Sequence, residues 1–119
     1  MADPWPQGLR IPKDRRSLVV EWDDGRRDEL PAELLRVESP SAEVQGHNAS
    51  QKVIVAGKAD VAITAAEPVG SYAVRLVFSD GHDSGLFSWT ILRRMADHRE
   101  ELWAAYLAAL EERGLSRDR

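Results

Sequence analysis

Apolar and polar residues alternate most regularly over residues 72–78. Tyr72, Val74, Leu76 and Phe78 fall on one face, and Ala73, Arg75 and Val77 on the other. A period of two predicts a strand. Residues 17–22 predict a second strand, rich in β-branched and aromatic side chains. Each run leads into an Asp-Gly pair, Asp24-Gly25 and Asp80-Gly81, whose glycine tolerates the positive φ of a tight hairpin turn. A short return strand follows each turn, and then a helical pattern begins. The phrase Val20-Glu21-Trp22-Asp23-Asp24-Gly25, Leu30, Leu34-Leu35-Arg36 is thus echoed by Leu76-Val77-Phe78-Ser79-Asp80-Gly81, Leu86, Ile91-Leu92-Arg93. The register slips by one residue before the helix. Shared residues read as scaffold, and the difference between the copies, His82-Asp83 at the second turn, is where function is to be sought.

The rest of the chain fills in around these units. Residues 9–11 predict a short edge strand stopped by Pro12, and Pro31 suits the first turn of a helix. Residues 53–55 and 60–64 predict further short strands. Trp89, Leu92 and Met95 form a helical stripe. Asp97 is the expected N-cap of a last helix, with Glu100 completing a capping box. Trp103, Tyr106, Leu107 and Leu110 give that helix one apolar face. Gly114 marks its C-terminal cap, with Leu115 folding back as in a Schellman ending. Strands and short helices first, helices last, predict an α+β fold: a mostly antiparallel β-sheet with hairpin–helix repeats and C-terminal helices packed on one face. Residues 1–8, with two prolines and a glycine, are expected to form a loose arm before a single domain over residues 9–117.

Composition narrows the functional classes. A chain of 119 residues with 43% hydrophobic residues and four Trp has enough apolar mass for one packed core. The net charge of −4, with basic residues in short separate runs, argues against a nucleic-acid-binding surface. The absence of cysteine excludes disulfides and thiolate-held metal clusters within this chain. No run approaches the ~20 apolar residues of a membrane span, and the first residues do not resemble a signal peptide. A cytoplasmic location is the expectation.

Polar chemistry concentrates around two of the three histidines. His82 lies in Asp80-Gly81-His82-Asp83-Ser84-Gly85. Its ordinary reading is a hairpin whose Asp and Ser side chains satisfy their own backbone. Its functional reading is a site in which imidazole and carboxylate bind a divalent metal or position a proton. His47 follows a small polar segment, and the same two readings apply. Should that segment meet the His82 turn, His47, His82, Asp80, Asp83 or Glu43 would make a mixed nitrogen and oxygen site. No His-x-x-x-His pair supports this, and no cofactor is expected beyond a weak divalent metal. His98 and the Asp23-Asp24 pair read as surface residues. No Gly-x-Ser-x-Gly turn or phosphate-binding loop is present.

The segment from Leu34-Leu35-Arg36 through Ser39-Pro40-Ser41-Ala42-Glu43-Val44-Gln45-Gly46-His47, with Val69-Gly70-Ser71-Tyr72-Ala73-Val74 and Phe78 to Trp89, resembles the small proteins related to the N-terminal domain of γ-butyrobetaine hydroxylase. The likeness covers roughly residues 9–117. It implies a small α+β domain. In the hydroxylase, this domain holds a structural zinc through three Cys and one His. The resemblance places Ser39, Ser41 and Val44 at the cysteine positions and His82 at the histidine position, so the zinc site is expected to be degenerate. The oxygenase domain has no counterpart in these residues, and His98-Arg99-Glu100 is the nearest approach to an iron motif. Similar domains attached to ATPases that carry iron–sulfur clusters imply an accessory role. The reading is therefore a non-catalytic binding or interaction module, not an enzyme, accessory to metal or iron–sulfur proteins. The alternative is a divalent-metal-binding protein using His47, His82 and nearby carboxylates. A protein partner is expected, without nucleic acid or membrane, and self-association through an edge strand at residues 9–11 or 61–64 stays open.

Overall fold

A computed structural model describes residues 4–46 and 52–118. Its first sheet is β1 (Pro6–Arg10), β2 (Ser17–Trp22) and β3 (Arg27–Pro31), antiparallel in that order. Helix α1 (Ala32–Val37) and the single turn α2 (Ala42–Gln45) follow. The second sheet is β4 (Ile63–Val69), β5 (Ala73–Phe78) and β6 (Leu86–Ser88), again antiparallel in sequence order. Helices α3 (Trp89–Asp97) and α4 (Arg99–Glu112) close the chain. The architecture is α+β, as the pattern predicts. The antiparallel strands form two small sheets rather than one.

The repetition in the sequence is a duplication in space. In the first hairpin Trp22 donates its N–H to Arg26 O at 2.8 Å, and Gly25 donates to Trp22 O at 3.2 Å. In the second, Phe78 donates to His82 O at 2.9 Å, and Gly81 donates to Phe78 O at 3.0 Å. The two turn glycines have φ of 87° and 90°, a region an L side chain enters only with strain. Both outer pairs carry a bulge at the same place: one between Pro6 and Gly8 opposite Trp22 and Glu21, the other between Ile63 and Ala65 opposite Phe78 and Val77. Each unit's helix begins after an extended residue, Pro31 or Ser88. Ala32 and Trp89, the first helical residues, donate to Arg16 O and Tyr72 O.

Packing joins the units. Leu18, Val20, Trp22, Leu30, Leu34 and Leu35 of the first share one buried cluster with Val74, Leu76, Phe78, Phe87 and Leu92 of the second. Burial of a side chain of this size contributes about 1.5–3 kcal/mol, so this joint core is the main adhesive. Electrostatics join them a second time, crosswise. Arg36 of α1 reaches Asp80 in the second turn, with Nε–Oδ2 at 2.7 Å. Arg93 of α3 reaches Asp24 in the first, with Nη2–Oδ2 at 2.8 Å, and its guanidinium stacks over Trp22. Helix α4 adds a satellite cluster in which Tyr106 and Leu110 cover Val37, and Tyr106 Oη donates to Val55 O at 2.6 Å. Its end is a Schellman cap: Leu115 donates to Leu110 O and Gly114 to Glu111 O, with Gly114 at φ 64°.

Several local expectations change. Strand β1 begins at Pro6, inside the stretch expected to be a loose arm, because Trp5 and Asp23 exchange hydrogen bonds across the sheet edge. Residues 53–55 form no strand. The strand expected at 60–64 begins at Ile63 and continues through Pro68, which an edge strand accommodates since the missing N–H can face outward. Tyr72 lies before β5 and is 57% exposed, apart from Val74, Leu76 and Phe78, which share its predicted face and are buried. Leu86 is exposed too. Phe87 is the true counterpart of Leu30, since it opposes Val74 as Leu30 opposes Leu18. Asp97 ends α3, and His98 takes the N-cap position of α4 without a side-chain cap bond. Leu107 is exposed, so the buried face of α4 is narrower than its stripe.

Candidate functional site

The second turn and the segment after α1 meet. Ser39 and Ser41 lie between α1 and α2, Glu43 lies on α2, and His82 follows the Asp80-Gly81 turn. The His82 side chain is 2% exposed. Its Nε2 faces Ser39 Oγ at 3.0 Å and Ser41 Oγ at 3.3 Å. Its Nδ1 faces Glu43 Oε2 at 3.2 Å, and Ser84 Oγ donates to the other carboxylate oxygen at 3.1 Å. A glutamate carboxylate only accepts, so in the neutral ring the proton sits on Nδ1 and the Nε2 lone pair receives a serine hydroxyl. The serine segment is held in turn by Gln45, whose Nε2 donates to Glu38 O and Ser39 O. Gly85 passes so close that a Cβ there would collide with Ser39 Oγ and stand 3.1 Å from the Phe87 ring.

The carboxylates of the turn point elsewhere. Asp80 receives Arg36 and Lys58, the latter at 2.6 Å, and accepts the His82 N–H at 3.1 Å. Burial pushes the Asp80 carboxyl up, but the Lys58 ammonium, the His82 amide and the Arg36 guanidinium outweigh it and hold the pKa at about 2. Asp83 sits 3.2 Å from Arg75. His47 lies outside the described residues. Among the described residues, no three His, Asp or Glu side chains gather as metal ligands would. His98 is exposed and near Glu101. Of the Asp23-Asp24 pair, Asp24 binds Arg93 and Asp23 caps the Trp5 N–H.

Serine, imidazole and carboxylate in line have the order of a hydrolytic triad, but not its accessibility. Ser39 is 0% exposed and Ser41 is buried, so neither hydroxyl can meet a substrate. The equivalent place in the first unit carries different chemistry. Arg26 occupies the position of His82 and binds Asp28 and Asp97, at 2.9 and 2.7 Å.

The zinc implied by resemblance does not fit these residues. Val44 is 1% exposed and has no donor atom, and the only lone pair Nε2 offers is engaged by hydroxyls. The Asp80 clamp escaped the sequence reading, although its signal was there: Arg36 and Arg93 hold matching places in the repeat.

The model of the family "Gamma-butyrobetaine hydroxylase-like, N-terminal" matches residues 9–93. Two solution structures are similar over nearly the whole chain. One is 44% identical with a TM-score of 0.84, covering 98% of this chain and 92% of its own. The other is 47% identical with a TM-score of 0.83, covering 97% and 86%. A crystal structure of a protein of unknown function of the DUF971 family from Acidithiobacillus ferrooxidans is 41% identical, with a TM-score of 0.67 over 80% of this chain and 98% of that one. Among curated proteins none matches significantly. With a buried serine–histidine cluster where the segment after α1 meets the second hairpin, this chain belongs to the gamma-butyrobetaine hydroxylase-like N-terminal family.

Proposed function

We propose that this chain is a non-catalytic interaction module that works by docking a protein partner, as an accessory to metal or iron–sulfur proteins. The observation that carries this reading is a contrast in exposure. The His82 imidazole and the two serine hydroxyls against it are buried, while aromatic side chains stand in solvent elsewhere. Trp5 is 48% exposed and packs edge-on against Trp89, with ring centroids 6.3 Å apart. The Trp89 N–H donates to the Tyr72 carbonyl, and Trp89 Nε1 donates to Ser71 O at 2.8 Å, which places exposed Tyr72 beside the pair. Trp and Tyr dominate the energetics of protein interfaces because they bury much area at small entropic cost. The metal and iron–sulfur setting is drawn from the resemblance.

The test is photo-crosslinking in cell extract, identification of the captured protein by mass spectrometry, and calorimetry with that protein purified. The expected result is saturable binding that Trp5→Ala with Tyr72→Ala weakens at least tenfold, and that His82→Asn leaves intact. Binding indifferent to the two aromatic substitutions, or no partner after exhaustive crosslinking, would refute the reading. The competing divalent-metal reading uses His47, His82 and nearby carboxylates; of these carboxylates Asp80 and Asp83 are paired with cationic side chains, and Glu43 faces His82. Saturable uptake of zinc or manganese by the wild-type chain, lost with His82→Ala, would favour it instead.

A further inference from the structure

We infer that the Ser39–Ser41–His82 cluster is a metal-free staple: hydrogen bonds do here, without zinc, the work of tying α1 and α2 to the second hairpin. Three observations support this. The cluster bridges parts of the chain far apart in sequence: Ser39 follows α1 of the first unit and His82 follows the turn of the second, 43 residues on. It is contracted to hydrogen-bond range. Around a tetrahedral zinc a thiolate sulfur and an imidazole nitrogen stand about 3.5 Å apart, given Zn–S and Zn–N bonds of about 2.3 and 2.0 Å. The two hydroxyl oxygens approach Nε2 to 3.0 and 3.3 Å, close enough to share a proton with it. Finally, the ring has no lone pair left. Nδ1 is turned to a carboxylate, which fixes its proton, and Nε2 accepts from serine.

The glycine at 85 belongs to the same device. Its lack of a side chain lets the strand after the turn press onto Ser39, which keeps water from competing for the hydroxyl. Satisfied buried polar groups of this kind specify one arrangement of the chain, because any other arrangement leaves an unpaired donor or acceptor.

The test is metal analysis of the full chain, purified after growth with added zinc, joined to thermal melts with and without a chelator. The expected native protein carries far less than one zinc per chain and melts at the same temperature in both conditions. Stoichiometric zinc, or a melting temperature lowered by the chelator, would overturn the inference. His82→Asn should lower the midpoint equally with and without chelator. A midpoint unchanged by this substitution would also overturn it. In the reverse direction, the triple substitution Ser39→Cys, Ser41→Cys, Val44→Cys should take up one zinc and acquire a chelator-sensitive midpoint. Failure of this variant to bind zinc while folded would refute the claim that the backbone brings these positions to His82. If it does not fold, the native metal content and the His82→Asn melts decide the matter.

Discussion

Replacing Asp80 by Asn tests the crosswise clamp. The substitution keeps the size and the oxygen that accepts the His82 N–H. It turns the other oxygen, on which Arg36 and Lys58 converge, into a donor facing two donors. The magnitude follows from linkage. The carboxyl is held at about 2 against an ordinary 3.8. At about 1.4 kcal/mol per pH unit this corresponds to roughly 2 kcal/mol, and the side chain is only 12% exposed, so solvent screening removes little of it. The sign is that of a depressed acid. The stabilisation is complete above the unfolded value near 4 and disappears as pH falls through the folded value near 2. Wild type should therefore exceed Asp80→Asn by roughly 2 kcal/mol at neutral pH, a shift of about 1–2 M in urea midpoint for a domain of this size. The difference should shrink to less than half near pH 2.5. Trp22, buried beneath Arg93, supplies the fluorescence signal for urea unfolding. A difference below about 0.5 kcal/mol at neutral pH, or one that does not change with pH, would refute the reasoning.

Other substitutions probe the remaining parts. Gly85→Ala should destabilise by about 1–3 kcal/mol through collision with Ser39 and Phe87, and by less in a Ser39→Ala background, so a double-mutant cycle in urea should show positive coupling. Gly25→Ala and Gly81→Ala meet nothing within 4 Å, so each should cost only the strain of positive φ, about 1–2 kcal/mol, and the two midpoints should agree closely. Leu35→Ala removes a fully buried side chain from the joint core and should cost about 2–5 kcal/mol by chemical denaturation. Asp24→Asn breaks the exposed counterpart of the Asp80 clamp, and its midpoint should fall less than that of Asp80→Asn.

Much of this architecture was legible because its causes are local. Period-two runs ending in Asp-Gly define hairpins whatever surrounds them, and both turned out to share one backbone geometry. The Gly114-Leu115 cap was equally local. What the pattern misplaced depended on partners distant in sequence. Tyr72 alternates correctly but precedes the first paired residue of β5. Leu86 matches Leu30 by eye, but the extra residue between the second turn and β6 moves Phe87 into the inward register, and a one-residue slip exchanges the two faces. At the site, residue types were visible but allegiances were not. Asp80 and Asp83 looked like ligands for a cation, and each had already found one in a guanidinium or ammonium group.

The duplication gives these allegiances a logic. Each unit's helix arginine spans to the turn aspartate of the other, and each has one buried Nη1 that finds no partner among the described residues. An unsatisfied guanidinium nitrogen is costly, so the same defect in both copies marks a constraint imposed by the crossing geometry rather than an accident at one place. What broke the symmetry is the residue after each turn glycine. Arg26 lies beside Asp28 and Asp97 and makes a solvent-screened ion-pair network. His82 is shorter and uncharged when neutral, so it can be buried, and burial obliges every polar atom around it to find a partner. The serines and Glu43 meet that demand. The first hairpin should consequently be a tolerant, salt-sensitive end of the molecule and the second a rigid one. Hydrogen exchange should show it: the amides of His82 and Ser41 should exchange orders of magnitude more slowly than that of Arg26, which only the exposed Asp24 side chain receives. Equal protection at the two turns would mean that the buried cluster does not stiffen its hairpin.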